Sequence, residues 1–340
     1  MKHKHSHKFF LTTVIAGGLL AQTASALITI DSVPVGNAGN AADPTTGLGA
    51  VGYDYAIGKY EVTLNQYTEF LNAVGATDTY GLYNTQMRSN PNIMGISRSG
   101  ASGSYSYSVI GSGNRPVTYV SWYDSARFVN WLHNGQPTGL QAAGTTETGA
   151  YTLTGNSGLI TRNAGWVYGL TSENEWYKAA YHQPVSLGGD VDNYWLYPTA
   201  NNAIPNSRNG SVSDPNSGNF YRDDGIANGF NGGYAVNNST TTTGNALTDA
   251  GAFSLADSFY ATFDQGGNVW EWNDAVIGSS RGLRGGSWGN NGDVLRASDR
   301  FSFDPAVGLN NIGFRVAIVP EPSVAGLMMV GMALVAWKRK

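Results

Sequence analysis

Few side chains in this sequence could do covalent chemistry. It contains no cysteine, which removes thiol catalysis, thiolate-held metals and c-type haem attachment together. Three of its five histidines lie in the first seven residues, leaving His133 and His182 in the body of the chain. Each falls near the end of a helical pattern, where a histidine faces terminal carbonyls or packs. The sequence has no Ser/His/Asp grouping, no zinc spacing and no phosphate loop. The densest signal lies between 263 and 318: Gly266-Gly267-Asn268-Val269-Trp270-Glu271-Trp272, Arg284-Gly285-Gly286-Ser287-Trp288, Leu295-Arg296-Ala297-Ser298-Asp299-Arg300 and Gly313-Phe314-Arg315-Val316-Ala317. With only 13% charged residues, Arg284, Arg296, Arg300 and Arg315 are expected to pair with Glu173, Glu175 or Asp299 and fix the loops. Trp270, Trp272 and Trp288 read as core. Gly285 and Gly286 read as sites of close backbone packing or positive φ.

Three helices are expected to carry these blocks. The first opens at Thr63, with Gln66 as capping-box partner and Val62 with Tyr67 as a staple. Tyr67, Phe70, Leu71 and Val74 share one face, and Gly75 stops the helix. A second runs from Ser121 to Asn134-Gly135, and a third from Ser172, boxed by Glu175, to about Tyr181. Leu27–Ile30 and Tyr53–Tyr60 read as strands. Between them lie stretches rich in Gly, Asn, Ser and Thr, at 76–113, 135–165 and 183–246, longer than compact domains usually allow.

Both ends read as sorting signals. Lys2, Lys4 and Lys8, an apolar Phe9–Leu20 and Ala24-Ser25-Ala26 make residues 1–26 a signal peptide, to be removed by signal peptidase. At the other end stand Pro320-Glu321-Pro322, an uncharged Val324–Trp337 and Lys338-Arg339-Lys340. An apolar segment of that length is marginal for crossing a bilayer, which suits a temporary anchor, and its basic end belongs on the cytoplasmic side. Residues 319–340 resemble the PEP-CTERM sorting signal of Gram-negative bacteria. The resemblance implies an inner-membrane intermediate cut by an exosortase near Pro320, Glu321 and Pro322, then release to the cell surface or extracellular matrix. The remaining body has 14 basic and 23 acidic residues, a net charge of −9, which argues against a nucleic-acid partner.

Across residues 27–318 the blocks resemble the sulfatase-modifying-factor family, which includes the formylglycine-generating enzyme. Gly58-Lys59-Tyr60-Glu61-Val62-Thr63, Arg115-Pro116-Val117-Thr118-Tyr119-Val120-Ser121-Trp122 and Leu170-Thr171-Ser172-Glu173-Asn174-Glu175-Trp176 precede the Trp- and Gly-rich series in the family's order. Thr171 stands where the family has proline. The resemblance implies a single irregular, loop-rich α+β domain related to C-type-lectin-like folds. It also implies calcium in the loop 264–271, held by the side chains of Asp264 and Glu271 and the carbonyls of Gly267 and Val269. A second calcium loop would begin at Asn219. Arg300 and Trp288 are implied at a ligand cleft.

The family's copper chemistry does not carry over. It needs two cysteines, since thiolate is the soft ligand that holds Cu(I). No copper and no formylglycine-generating activity are therefore expected. The expectation is an exported, non-catalytic module binding a glycan or peptide, such as an exopolysaccharide or other surface ligand. An enzyme with altered, cysteine-independent chemistry and a purely structural matrix protein are the alternatives.

Overall fold

A computed structural model describes residues 27–319, apart from 157, 159 and 210–213. Both expected sorting signals, residues 1–26 and Pro320 onward, lie outside the described residues. Among the described residues no helix is long and apolar enough to cross a membrane.

The three expected helices are present with their caps. Helix α1 spans Leu64–Val74, capped by Thr63 and Gln66. A short α2 covers Gln86–Ser89. Helix α3 spans Trp122–His133, with Ser121 and Asp124 forming its capping box, and α4 spans Glu173–Tyr181, boxed by Ser172 and Glu175. Each box satisfies amide groups that the first helical turn leaves open.

Two four-stranded sheets carry the rest of the frame. In the first, Tyr55–Gly58 lies between Ser32–Val35 and Val316–Ile318, and Tyr168–Leu170 completes the far edge, all antiparallel. The strand expected at Leu27–Ile30 is irregular chain instead, and pairing begins at Ser32. In the second sheet, Trp270–Ile277 pairs antiparallel with Ser280–Arg284 and parallel with Ile312–Phe314, while Phe301–Phe303 forms an edge. Arg315 is the single residue between the last strand of one sheet and the last strand of the other.

The core joins α1 and α3 to both sheets. Phe70, Phe128 and Phe314 form successive edge-to-face pairs at 5.4 and 5.3 Å, each worth about 0.5–1.5 kcal/mol beyond burial. Trp272 is fully buried, and its Nε1 donates to Val120 O at 3.0 Å.

The long polar stretches are held by side chains more than by strands. Helix α3 turns a buried polar face to segment 135–165. Asn130 Nδ2 donates to Thr146 O and Tyr151 O at 2.7 and 3.0 Å, and its Oδ1 accepts from Tyr151 N. Arg127 clasps Glu147 through Nε and Nη2. Backbone groups that a ladder would have satisfied are thus matched by amides and a guanidinium. The result is the single loop-rich α+β domain that the sequence predicts.

Candidate functional site

Arg315 lies where the two sheets meet, fully buried, with every donor used. Nε and Nη2 hold the two oxygens of Glu271 at 2.7 Å each. Nη1 donates to Gly58 O and Lys59 O, and Nη2 also to Phe263 O. Trp176 Nε1 adds a third donor to Glu271, at 2.7 Å. A bidentate pair this well matched offsets its own desolvation and fixes the start of loop 264–271 to the strand that ends it.

The other expected arginine pairs are present in part. Arg284 and Arg300 both bind Glu173, at 2.7 and 2.6 Å. Glu175 is held by Arg162 rather than by any of the four expected arginines. Arg296 pairs with exposed Asp293 and the hydroxyl of Tyr197. Asp299 contributes its main-chain oxygen to Arg284. Gly285 has φ 98°, and a Cβ there would meet Gln265 O at 2.6 Å, so the expected close approach is real.

Loop 264–271 is buried except at Gly266. Asp264 has φ 59° and accepts from Gly251 N at 2.6 Å. Gly267 has φ 93°, a conformation glycine tolerates, and a Cβ on it would meet Asn219 O at 2.4 Å. Val269 is fully buried. Asn219 ties this loop to its neighbour: its O accepts from Asn268 N, and its Nδ2 donates to Ala246 O and Asn268 Oδ1.

Glu61, which the sequence reading did not single out, lies beside this loop. It is 1% exposed, and neither carboxyl oxygen has a hydrogen-bond partner. Burial and then the neighbouring Asp264 raise its pKa well above the usual carboxylate range. Burial also pushes Asp264 up to about 6. Three carboxyls, Glu61, Asp264 and Glu271, therefore face one guanidinium. This acidic excess and the orphaned Glu61 fit a cation whose remaining donors are main-chain oxygens. Among the described residues no three His, Cys, Asp or Glu side chains converge as a metal site by themselves.

The residues implied at a ligand cleft stand apart from each other. Trp288 is 7% exposed, packs with Ile93, Ala246, Leu247 and Val269, and donates to Asn310 O at 3.3 Å. Arg300 keeps 42% of its side chain exposed while holding Glu173. Tyr107, Tyr194 and Tyr197 are buried and pack the loops. His182 is buried too, bonded through Nδ1 to Tyr260 Oη at 2.8 Å, and burial lowers its pKa to about 4. His133 accepts from Val167 N.

Comparison with known proteins places this architecture. Among solved structures, the chain is similar to CarF, with a TM-score of 0.49 at 19% identity over 87% of this chain and all of that one. It is also similar to variable protein 1 of Treponema denticola, with a TM-score of 0.43 at 20% identity over 86% and 98% of the two chains. PvdO from Pseudomonas aeruginosa gives a TM-score of 0.41 at 17% identity over 81% and 83%. No curated protein matches. The sulfatase-modifying factor enzyme 1-like domain model matches residues 11–319. With that model matching nearly its whole length, the chain belongs to the sulfatase-modifying factor enzyme 1-like family.

Proposed function

We propose that this protein is an exported surface or matrix module that binds a glycan or peptide, and that it does not oxidise cysteine. The observation that carries the reading is the absence of cysteine from a family domain held together by buried Arg–Glu pairs. Without thiolate, the soft ligand set for Cu(I) is missing. What is retained is a rigid base with long side-chain-stapled loops, the kind of scaffold on which binding surfaces are built. The N-terminal signal peptide, the Pro320-Glu321-Pro322 triplet and the basic C-terminus support export, a temporary inner-membrane anchor and processing by signal peptidase and exosortase.

Calcium belongs to the same proposal. Asp264, the carbonyls of Gly267 and Val269, and the lone pairs that Arg315 and Trp176 leave on Glu271 would hold it. Bound there, the ion supplies fixed positive charge and no redox chemistry. Asp264 anchors the turn, Gly267 permits its tight approach to Asn219, and Arg315 holds Glu271 in place. A second ion at Asn219 would use that residue's oxygens, while its side-chain nitrogen stays bonded to Ala246 O and Asn268 Oδ1.

Oxygen uptake tests the reading. The purified full chain, mixed with a cysteine-containing peptide, is expected to consume no oxygen above the buffer rate, with or without added copper. Sustained uptake that follows protein concentration would overturn the proposal and restore an oxidative enzyme.

A further inference from the structure

Arg115 differs from the other arginines of the framework. It forms no ion pair or hydrogen bond with its side chain among the described residues, and its Nε is buried without a partner. It lines a cleft of about 390 Å³ together with Ser112, Leu247, Thr248 and Asp249. Asp249, reaching the same cleft from another segment, also has no side-chain partner among the described residues. The two charges are not joined to each other.

A second cleft, of about 470 Å³, is lined by residues next in sequence to those of the first. Asn114 and Ala250 belong to it, next in sequence to Arg115 and Asp249, and Ala250 N donates to Asn114 O at 3.0 Å across the divide. Its lining includes Tyr60, Asn65 and Asp31.

We infer that this double cleft binds an acidic sugar chain, with Arg115 taking a uronate carboxylate. The inference rests on the binding-module reading and names its ligand class. Arg115 is half-buried with its Nε unmatched, and a planar carboxylate matches a guanidinium through two parallel bonds. Asp249 and Asn114 are suited to the hydroxyls of a sugar ring, while half-buried Tyr60 offers an apolar face in the second cleft. An acidic peptide fits less well, because Asp249 and Asp31 would oppose its carboxylates without hydroxyls to satisfy them.

The test uses the full chain and three probes: trigalacturonate, the neutral trisaccharide maltotriose, and triglutamate. Trigalacturonate is expected to bind, with Arg115→Gln weakening it about tenfold or more at an unchanged melting temperature. Arg115→Lys, which keeps the charge but loses the paired donors, should weaken the same probe less and serves if the first variant fails to fold. Unchanged trigalacturonate affinity in both variants would overturn the site. Triglutamate binding as tightly through Arg115 would overturn the sugar in favour of an acidic peptide. Maltotriose binding without trigalacturonate would overturn the acidic class and leave the glycan module standing. Binding of none of the three overturns this inference, and the broader reading falls only if a wider glycan and peptide panel is also blank.

Discussion

Arg315 and Arg115 are the same residue type in opposite situations. At the junction of the two sheets, Arg315 is fully buried and gives every N–H to a carboxylate or carbonyl. At the cleft, Arg115 gives none, although its Nε is shielded from water. A buried cation with all its partners inside the protein holds a fold together. A half-exposed one whose side chain has no partner is open to a ligand. The contrast separates the part of the molecule that resists change from the part free to recognise a ligand.

The largest effect should come from breaking the first of these. Arg315→Met leaves Glu271 buried beside Glu61 and Asp264 with no counter-charge. A loss of about 3–5 kcal/mol is expected, read as a large drop in the denaturation midpoint, and the double variant with Glu271→Gln should recover part of it. Next comes Gly285→Ala, which forces a Cβ against Gln265 O at φ 98°. It should cost about 1–3 kcal/mol, visible by the same measurement.

His182 sharpens the comparison through pH. Its folded pKa is depressed from 6.5 to about 4, so the unfolded chain takes up the proton first. The stability linked to it is complete above about pH 6.5 and is lost as pH falls towards 4. Wild type should therefore lose about 2 kcal/mol through this group over that window, and His182→Gln should show a shallower decline in melting temperature. Smallest of all is the effect of Arg115→Gln on stability, expected within about 0.5 kcal/mol. A loss as large as that of Arg315→Met would erase the distinction between the two regions.

The sequence made the local features legible. Thr63/Gln66 and Ser172/Glu175 announce their helices because a capping box is complete within four residues. Gly285 could be read because only backbone approach explains a glycine pair before a buried Ser-Trp. The strands were harder: most are three to five residues long and pair across the whole chain, so Ser32–Val35 was misplaced by a few positions. The partners of the arginines were legible only where they lay in a recognised block. Glu173 was expected, whereas the link from Arg315 to Glu271 depends on two strands running parallel, which no local pattern encodes. Glu61 and Arg115 were both inside quoted blocks, yet what distinguishes them is a missing partner, and that exists only in three dimensions.

The central claim is that this family member keeps a cation-stiffened framework for binding after losing the means for copper chemistry. Calorimetric titration of calcium into the chelator-treated full chain, with elemental analysis of the same sample, tests it most directly. The account predicts calcium uptake that Asp264→Ala abolishes, and neither copper nor iron in the protein. Tightly bound copper or iron, or no calcium uptake at all, would contradict it.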